Sequence, residues 1–87
     1  MINHWIVLVD NTESNNESVE IKSCQYPEEL KYENLPVQFR MYDDDGNLYY
    51  SGRMKIEDFD PLDDYGMPNA GCTYLKYRRG NKAWEHL

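Results

Sequence analysis

The chain predicts a mainly β fold: a small antiparallel sheet or partly open barrel of about six short strands, with one or two short helical turns. Three observations carry that expectation. Apolar residues recur at every second position in several short runs, the period of a half-buried strand. Clusters of Asn, Asp, Gly, Ser and Pro separate those runs. Between these breaks, no segment has room for more than about two turns of amphipathic helix.

Taken in order, residues 4–10 (HWIVLVD) are a compact, β-branched apolar run and predict the first strand. Residues 11–18 (NTESNNES) are wholly polar and predict a loop. Residues 18–25 alternate strictly, with Val19, Ile21 and Ser23 on one face, and predict a strand antiparallel to the first. Residues 27–32 place Pro27 at a first helical position with Glu28 and Glu29 in the first turn, which suits a short helix. Residues 35–42 form the clearest strand: Val37, Phe39 and Met41 face one way, Gln38, Arg40 and Tyr42 the other. Residues 48–54 follow as its partner, with Leu48, Tyr50 and Met54 on a shared face. In the long connection, Asp60 and Pro61 read as an N-cap and first helical residue, and Gly66 as the close of a helical turn over 61–65. Residues 67–71 are expected to be irregular. Residues 72–78 and 82–87 predict a terminal hairpin around Arg79, Gly80 and Asn81.

Eighty-seven residues fit a single domain of modest core. The formal net charge of −7 argues against a nonspecific nucleic-acid binder. That charge is uneven. Residues 1–72 hold five Lys/Arg against fifteen Asp/Glu, while residues 73–87 hold four Lys/Arg against Glu85 alone. An acidic body with a basic C-terminal hairpin is expected. No apolar run approaches the roughly 20 residues that span a bilayer, and the first residues lack a basic n-region, so a cytoplasmic location is expected. Cys24 and Cys72 are then expected to be free, core-type residues.

The stretch DDDGN (43–47) invites a calcium reading, which its register excludes. An EF-hand needs oxygen ligands at loop positions 1 and 12 around a glycine at position 6. With Gly46 at position 6 those ends are Met41 and Gly52. With Gly66 there they are Pro61 and Cys72. Asp45-Gly46 between two alternating strands reads instead as a hairpin turn. His4, His86, Cys24 and Cys72 have no zinc spacing. No nucleophile elbow, phosphate-binding glycine loop or H-E-x-x-H motif occurs. No metal, no cofactor and no enzymatic activity are therefore expected.

Two features remain for binding. Asp43, Asp44 and Asp45 at the hairpin tip, with Glu57, Asp58, Asp60, Asp63 and Asp64 on the long connection, place eight carboxylates on two loops. If adjacent, they would imitate a phosphate backbone or enter a basic groove. Tyrosine and arginine are also favoured at interfaces, and Tyr42, Tyr49, Arg40 and Arg53 are expected as cross-strand neighbours on one sheet face.

The hairpin YDDDGNLYYSGR (42–53), followed by FDPLDDYGMPNAGCTYLKY (59–77), resembles a pattern in small uncharacterised bacterial and phage-borne proteins. These pair a DDDG-x-x-Y-Y-x-G-R hairpin with a PLDD-[YF]-G-x-P-x-A-G-C-T segment and a final strand ending near a tryptophan. The resemblance covers about residues 36–87 and implies an accessory domain in which the two acidic segments belong together. It implies no catalytic or binding position. The expectation drawn from charge and size is a non-enzymatic acidic binding protein, monomeric or homodimeric. One concrete form is a phage or mobile-element inhibitor that occupies the nucleic-acid-binding groove of a host defence protein. The alternative is an accessory interaction domain that docks through a tyrosine-bearing sheet face.

Overall fold

The structure is a computed structural model, and it describes residues 4–11 and 30–87. Among the described residues five antiparallel strands form one open sheet: β1 (Trp5–Asp10), β2 (Val37–Tyr42), β3 (Leu48–Met54), β4 (Tyr74–Arg79) and β5 (Glu85–His86). Their order across the sheet is β1-β3-β2-β4-β5. The mainly β fold is as the alternation predicts. The predicted strand at 18–25, and residues 27–29 of the predicted short helix, lie outside the described residues. β1 pairs with β3, and a single 3₁₀ turn at Tyr32–Asn34 precedes β2.

β2 is the central strand and shows the predicted alternation, with Val37, Phe39 and Met41 buried and Gln38, Arg40 and Tyr42 half-buried on the opposite side. Its buried face joins Trp5 and Val7 of β1, Tyr50 and Met54 of β3, Leu75 of β4, and Leu62 and Cys72 in one apolar cluster. Each such side chain contributes about 1.5–3 kcal/mol when fully removed from water.

The lid on this face is a helix, α1, in which a π-wound stretch at Leu62–Gly66 runs into an α-helical turn at Met67–Ala70. The expected irregular segment at 67–71 is thus largely helical, and Gly66 does not close a turn. Gly66 keeps right-handed helical geometry (φ −65°, ψ −47°). A Cβ placed on it would stand 2.7 Å from Met41 Sδ and 3.2 Å from Cys72 Cβ. Glycine serves close approach to the sheet here. Pro68 sits in the turn that follows, where it supplies no N–H. The Met67 N–H donates to the Leu62 carbonyl, which is the wide π spacing. Gly71 is the residue that ends the helix, at φ +68°, its N–H donating 3.0 Å to the Met67 carbonyl.

A second, smaller cluster lies on the opposite face, which we term the outer face. There Leu30 and Leu35 pack on Ile6, with Leu8 beside them. Bulges adjust two registers, between Val7 and Val9 of β1 and between Met41 and Tyr42 of β2. The second sets Leu48 opposite Tyr42. Tyr49, rather than the predicted Leu48, then packs against the main core beside Tyr50 and Met54.

Gly52 lies between Val7 and Phe39 in the registers of β1 and β2. A Cβ there would fall 2.0 Å from the Ile6 carbonyl oxygen and 2.8 Å from Phe39 Cζ. Backbone cannot step aside as a flexible side chain can. Gly52→Ala is therefore expected to lower the unfolding free energy by about 3 kcal/mol. Gly71→Ala, with open space around it, should cost about 1 kcal/mol through its left-handed backbone alone. Urea midpoints at unchanged m-value measure both, and the reverse ranking would sink this account of the packing.

Candidate binding surface

The hairpin between β2 and β3 is closed by Asp43. The Asp43 N–H donates to the Asn47 carbonyl at 3.2 Å, and the Gly46 N–H donates to the Asp43 carbonyl at 3.1 Å. Gly46 takes the positive φ of +83° that a three-residue loop requires. The Asp43 carboxylate is fully engaged. Oδ1 accepts from the N–H groups of Asp45 (3.0 Å) and Asn47 (2.9 Å), and Oδ2 accepts from Asn47 Nδ2 (3.0 Å) and the Tyr49 hydroxyl (2.9 Å). These bonds, those from Asn47 foremost, hold its carboxyl below the ordinary aspartate range. The same bond pushes the Tyr49 hydroxyl up, because ionising it would set two anions together. Asp43 is thus the anchor of its own turn, while Asp44 and Asp45 are exposed at the tip.

Asp58, Asp60, Asp63 and Asp64 gather at the start of α1. Burial raises the Asp60 carboxyl first, with Asp58, Asp64 and Asp63 adding like-charge repulsion. Glu57 leaves this group for β4: Arg79 Nε and Nη2 donate to its two carboxylate oxygens at 2.8 and 2.7 Å. The hydrogen bond from Arg79 lowers the Glu57 carboxyl.

The two acidic segments do not meet. β3 carries the chain from the hairpin tip to Met54, and α1 brings it back until the Thr73 N–H donates to the Tyr42 carbonyl. Asp58 and Asp60 therefore stand at the far end of the sheet, about a six-residue strand or ~20 Å from the tip.

The outer face has the opposite character. Register places Gln38, Arg40 and Tyr42 of β2 beside Arg78, Lys76 and Tyr74 of β4, and beside Arg53 and Ser51 of β3. Of the four residues expected to share a face, Arg40, Arg53 and Tyr42 do so. Tyr49 packs on the other side. The aromatic groups form two sets. Tyr42, Tyr74 and His86 stack in a ladder across β2, β4 and β5, with ring centroids 5.1 Å apart at both steps and planes within 8°. Trp84 reaches back from the loop before β5, and the guanidinium carbons of Arg40 and Arg78 lie 4.2 and 4.6 Å from its ring centroid. Lys76 Nζ stands 5.4 Å from the Tyr42 ring. Arg78 also donates to Gln38 Oε1 through Nε and Nη2, both at 3.3 Å.

A shallow depression of about 180 Å³ lies between Gln38, Arg40, Ser51, Arg53 and Trp84. A second, of about 260 Å³, lies beside the Arg79–Glu57 pair. Both are smaller than the roughly 300–1,000 Å³ of small-molecule pockets. Cys72 is buried under α1, and burial, with the Asp43 charge second, pushes its thiol up to about 11. Such a thiol is a packing group at neutral pH. Cys24 and its expected burial lie outside the described residues. Among the described residues no three His, Cys, Asp or Glu side chains converge to hold a metal ion, and no helix is long and apolar enough to cross a membrane.

Trp84, Lys76, Arg78 and His86 are not among the binding candidates read from the sequence. Their signal was present in the basic C-terminal balance and in the alternation of YLKYRR, which puts Tyr74, Lys76 and Arg78 on one face. What could not be read was the return of Trp84 over β2. No protein-family model matches the chain, and no curated protein and no solved structure shows significant similarity to it.

Because the Asp43 carboxyl lies below its ordinary value of 3.8, the unfolded chain takes up that proton first. The anchor therefore stabilises fully above the ordinary aspartate range, and its contribution fades as pH falls through that range and below. Asp43→Asn should lower stability at pH 7 and flatten the acid limb of the stability–pH curve. Equal slopes for both proteins in urea titrations between pH 2 and 6 would exclude the anchor role.

Proposed function

We propose that this chain is a small non-enzymatic binding module that docks on a partner protein through the outer face of its sheet. One observation carries the reading: Arg40, Lys76 and Arg78 are clustered with aromatic rings, and among the described residues none of them pairs with a carboxylate. With eleven acidic side chains among the described residues, that separation is the unexpected arrangement. Arg40 and Lys76 are moreover direct cross-strand partners. Like charges at such a position cost roughly 0.2–1 kcal/mol, a cost that a docked anionic group removes. Guanidinium and indole groups are also the side chains that most often dominate interface energies.

A second reading is favoured by the raised Asp60 carboxyl among Asp58, Asp63 and Asp64. In it, this acidic cluster occupies a basic groove, as an inhibitor of a host nucleic-acid-handling protein would. The separation of these residues from Asp43, Asp44 and Asp45 removes the larger, eight-carboxylate display from that reading.

A photo-crosslinking side chain separates the two. Placed at Ser51, beside Arg40 on the outer face, it is expected to capture one protein in the native cells, with competition by unlabelled chain. Placed at Asp63, on the helix-bearing side, it is expected to capture none. Capture from 63 alone would transfer the function to the acidic cluster, and no capture from either position would count against docking altogether.

A further inference from the structure

Resting on the docking reading above, we infer that the occupant of the outer face is an acidic peptide segment of the partner, whose carboxylates meet Arg40, Lys76 and Arg78. A basic and aromatic sheet face invites comparison with a platform for single-stranded nucleic acid, where bases stack on open ring faces. Several of the ring faces here are already engaged. Tyr74 is stacked on both sides, by Tyr42 and by His86. Tyr42 meets Tyr74 and Lys76. Trp84 is packed by two guanidinium groups. Tyr74 therefore offers no open ring face, and Tyr42 and Trp84 each already hold a ring or cationic neighbours, which leaves fewer faces for base stacking.

The cations are placed differently. A guanidinium lying over an indole keeps in-plane N–H groups for a carboxylate (those of Arg40, and those of Arg78 that do not donate to Gln38 Oε1), and the ring holds it in orientation. Arg40 and Lys76 face each other across β2 and β4, and Arg78 follows two residues after Lys76. Three cationic groups thus stand at strand spacing, about 5–7 Å apart. That is the repeat at which an extended peptide presents every second side chain. The depression beside Arg40 and Trp84, about 180 Å³, has room for one such side chain. A net charge of −7 further opposes a long polyanion at a distance, and opposes a short acidic motif on a mixed-charge protein much less.

The test uses the full chain and two fluorescein-labelled probes: a short peptide of alternating glutamate and serine, and an oligothymidylate of equal charge, read by fluorescence anisotropy. The peptide is expected to bind with an affinity that falls as salt rises. The R40Q/K76Q/R78Q variant should weaken it about tenfold or more, and R79Q, on the helix-bearing side where Arg79 pairs with Glu57, should leave it unchanged. The oligothymidylate should bind about tenfold more weakly than the peptide. A thermal melt confirms that the triple variant folds; if it does not, Lys76→Gln alone should still weaken the peptide about threefold. Oligothymidylate binding as tightly as the peptide, no saturable peptide binding, or peptide binding indifferent to these substitutions would each overturn the acidic-peptide assignment. The crosslink from position 51 leaves all three cations in place and captures a partner of either charge, so the docking reading stands or falls separately.

Discussion

The closeness of α1 to the sheet at Gly66 organises the rest of the molecule. With no side chain there, the helix settles onto Met41 and Cys72 at the centre of the sheet. Leu62 and the apolar faces of all the longer strands can then close one core. The sheet has two faces, and among the described residues the helix covers one of them. Whatever the sequence places on the alternate positions of β2, β3 and β4 must therefore stay on the surface or find another cover. The Leu30 and Leu35 contacts supply cover at the β1 end. At the β4 end, the cover is aromatic and cationic.

That division also sorts the charge. The carboxylates of the connection ride on the helix-bearing side, and Glu57 is tied there by Arg79. An exposed pair of this kind contributes about 0.2–1 kcal/mol, so it trims the connection into place more than it stabilises the fold. Arg40, Lys76 and Arg78 are left on the other side with rings for neighbours. Net charge alone therefore misdescribes the surface that a partner meets.

The hairpin tip shows how a motif changes meaning in three dimensions. Three consecutive aspartates look like one charged patch, yet they divide the work. Asp43 spends its carboxylate on four donors inside the turn. Asp44 and Asp45 project from it. Asn47 and Tyr49 are the donors that make the difference, and both follow the motif at short range, so this local part was open to prediction. The distance from the tip to the acidic start of α1 was not, because it depends on the path the chain takes after Met54.

Strand alternation in 35–42 and 48–54, the turn at Gly46, and the exclusion of a calcium loop all follow from nearest-neighbour chemistry, which residue order records directly. The mainly β class follows from the same source. Gly66 and residues 67–71 escape a local reading because glycine and proline break helices on average, whereas here a glycine is needed for contact with Met41, twenty-five positions earlier in the chain, which no local rule records. The bulge that exchanges Leu48 for Tyr49 is set by register between two strands. The clasp of Arg40 and Arg78 on Trp84 joins residues far apart in the chain. Packing decided these, since the free energy of a close contact depends on which surfaces the whole fold brings together and not on the order in which their residues are written.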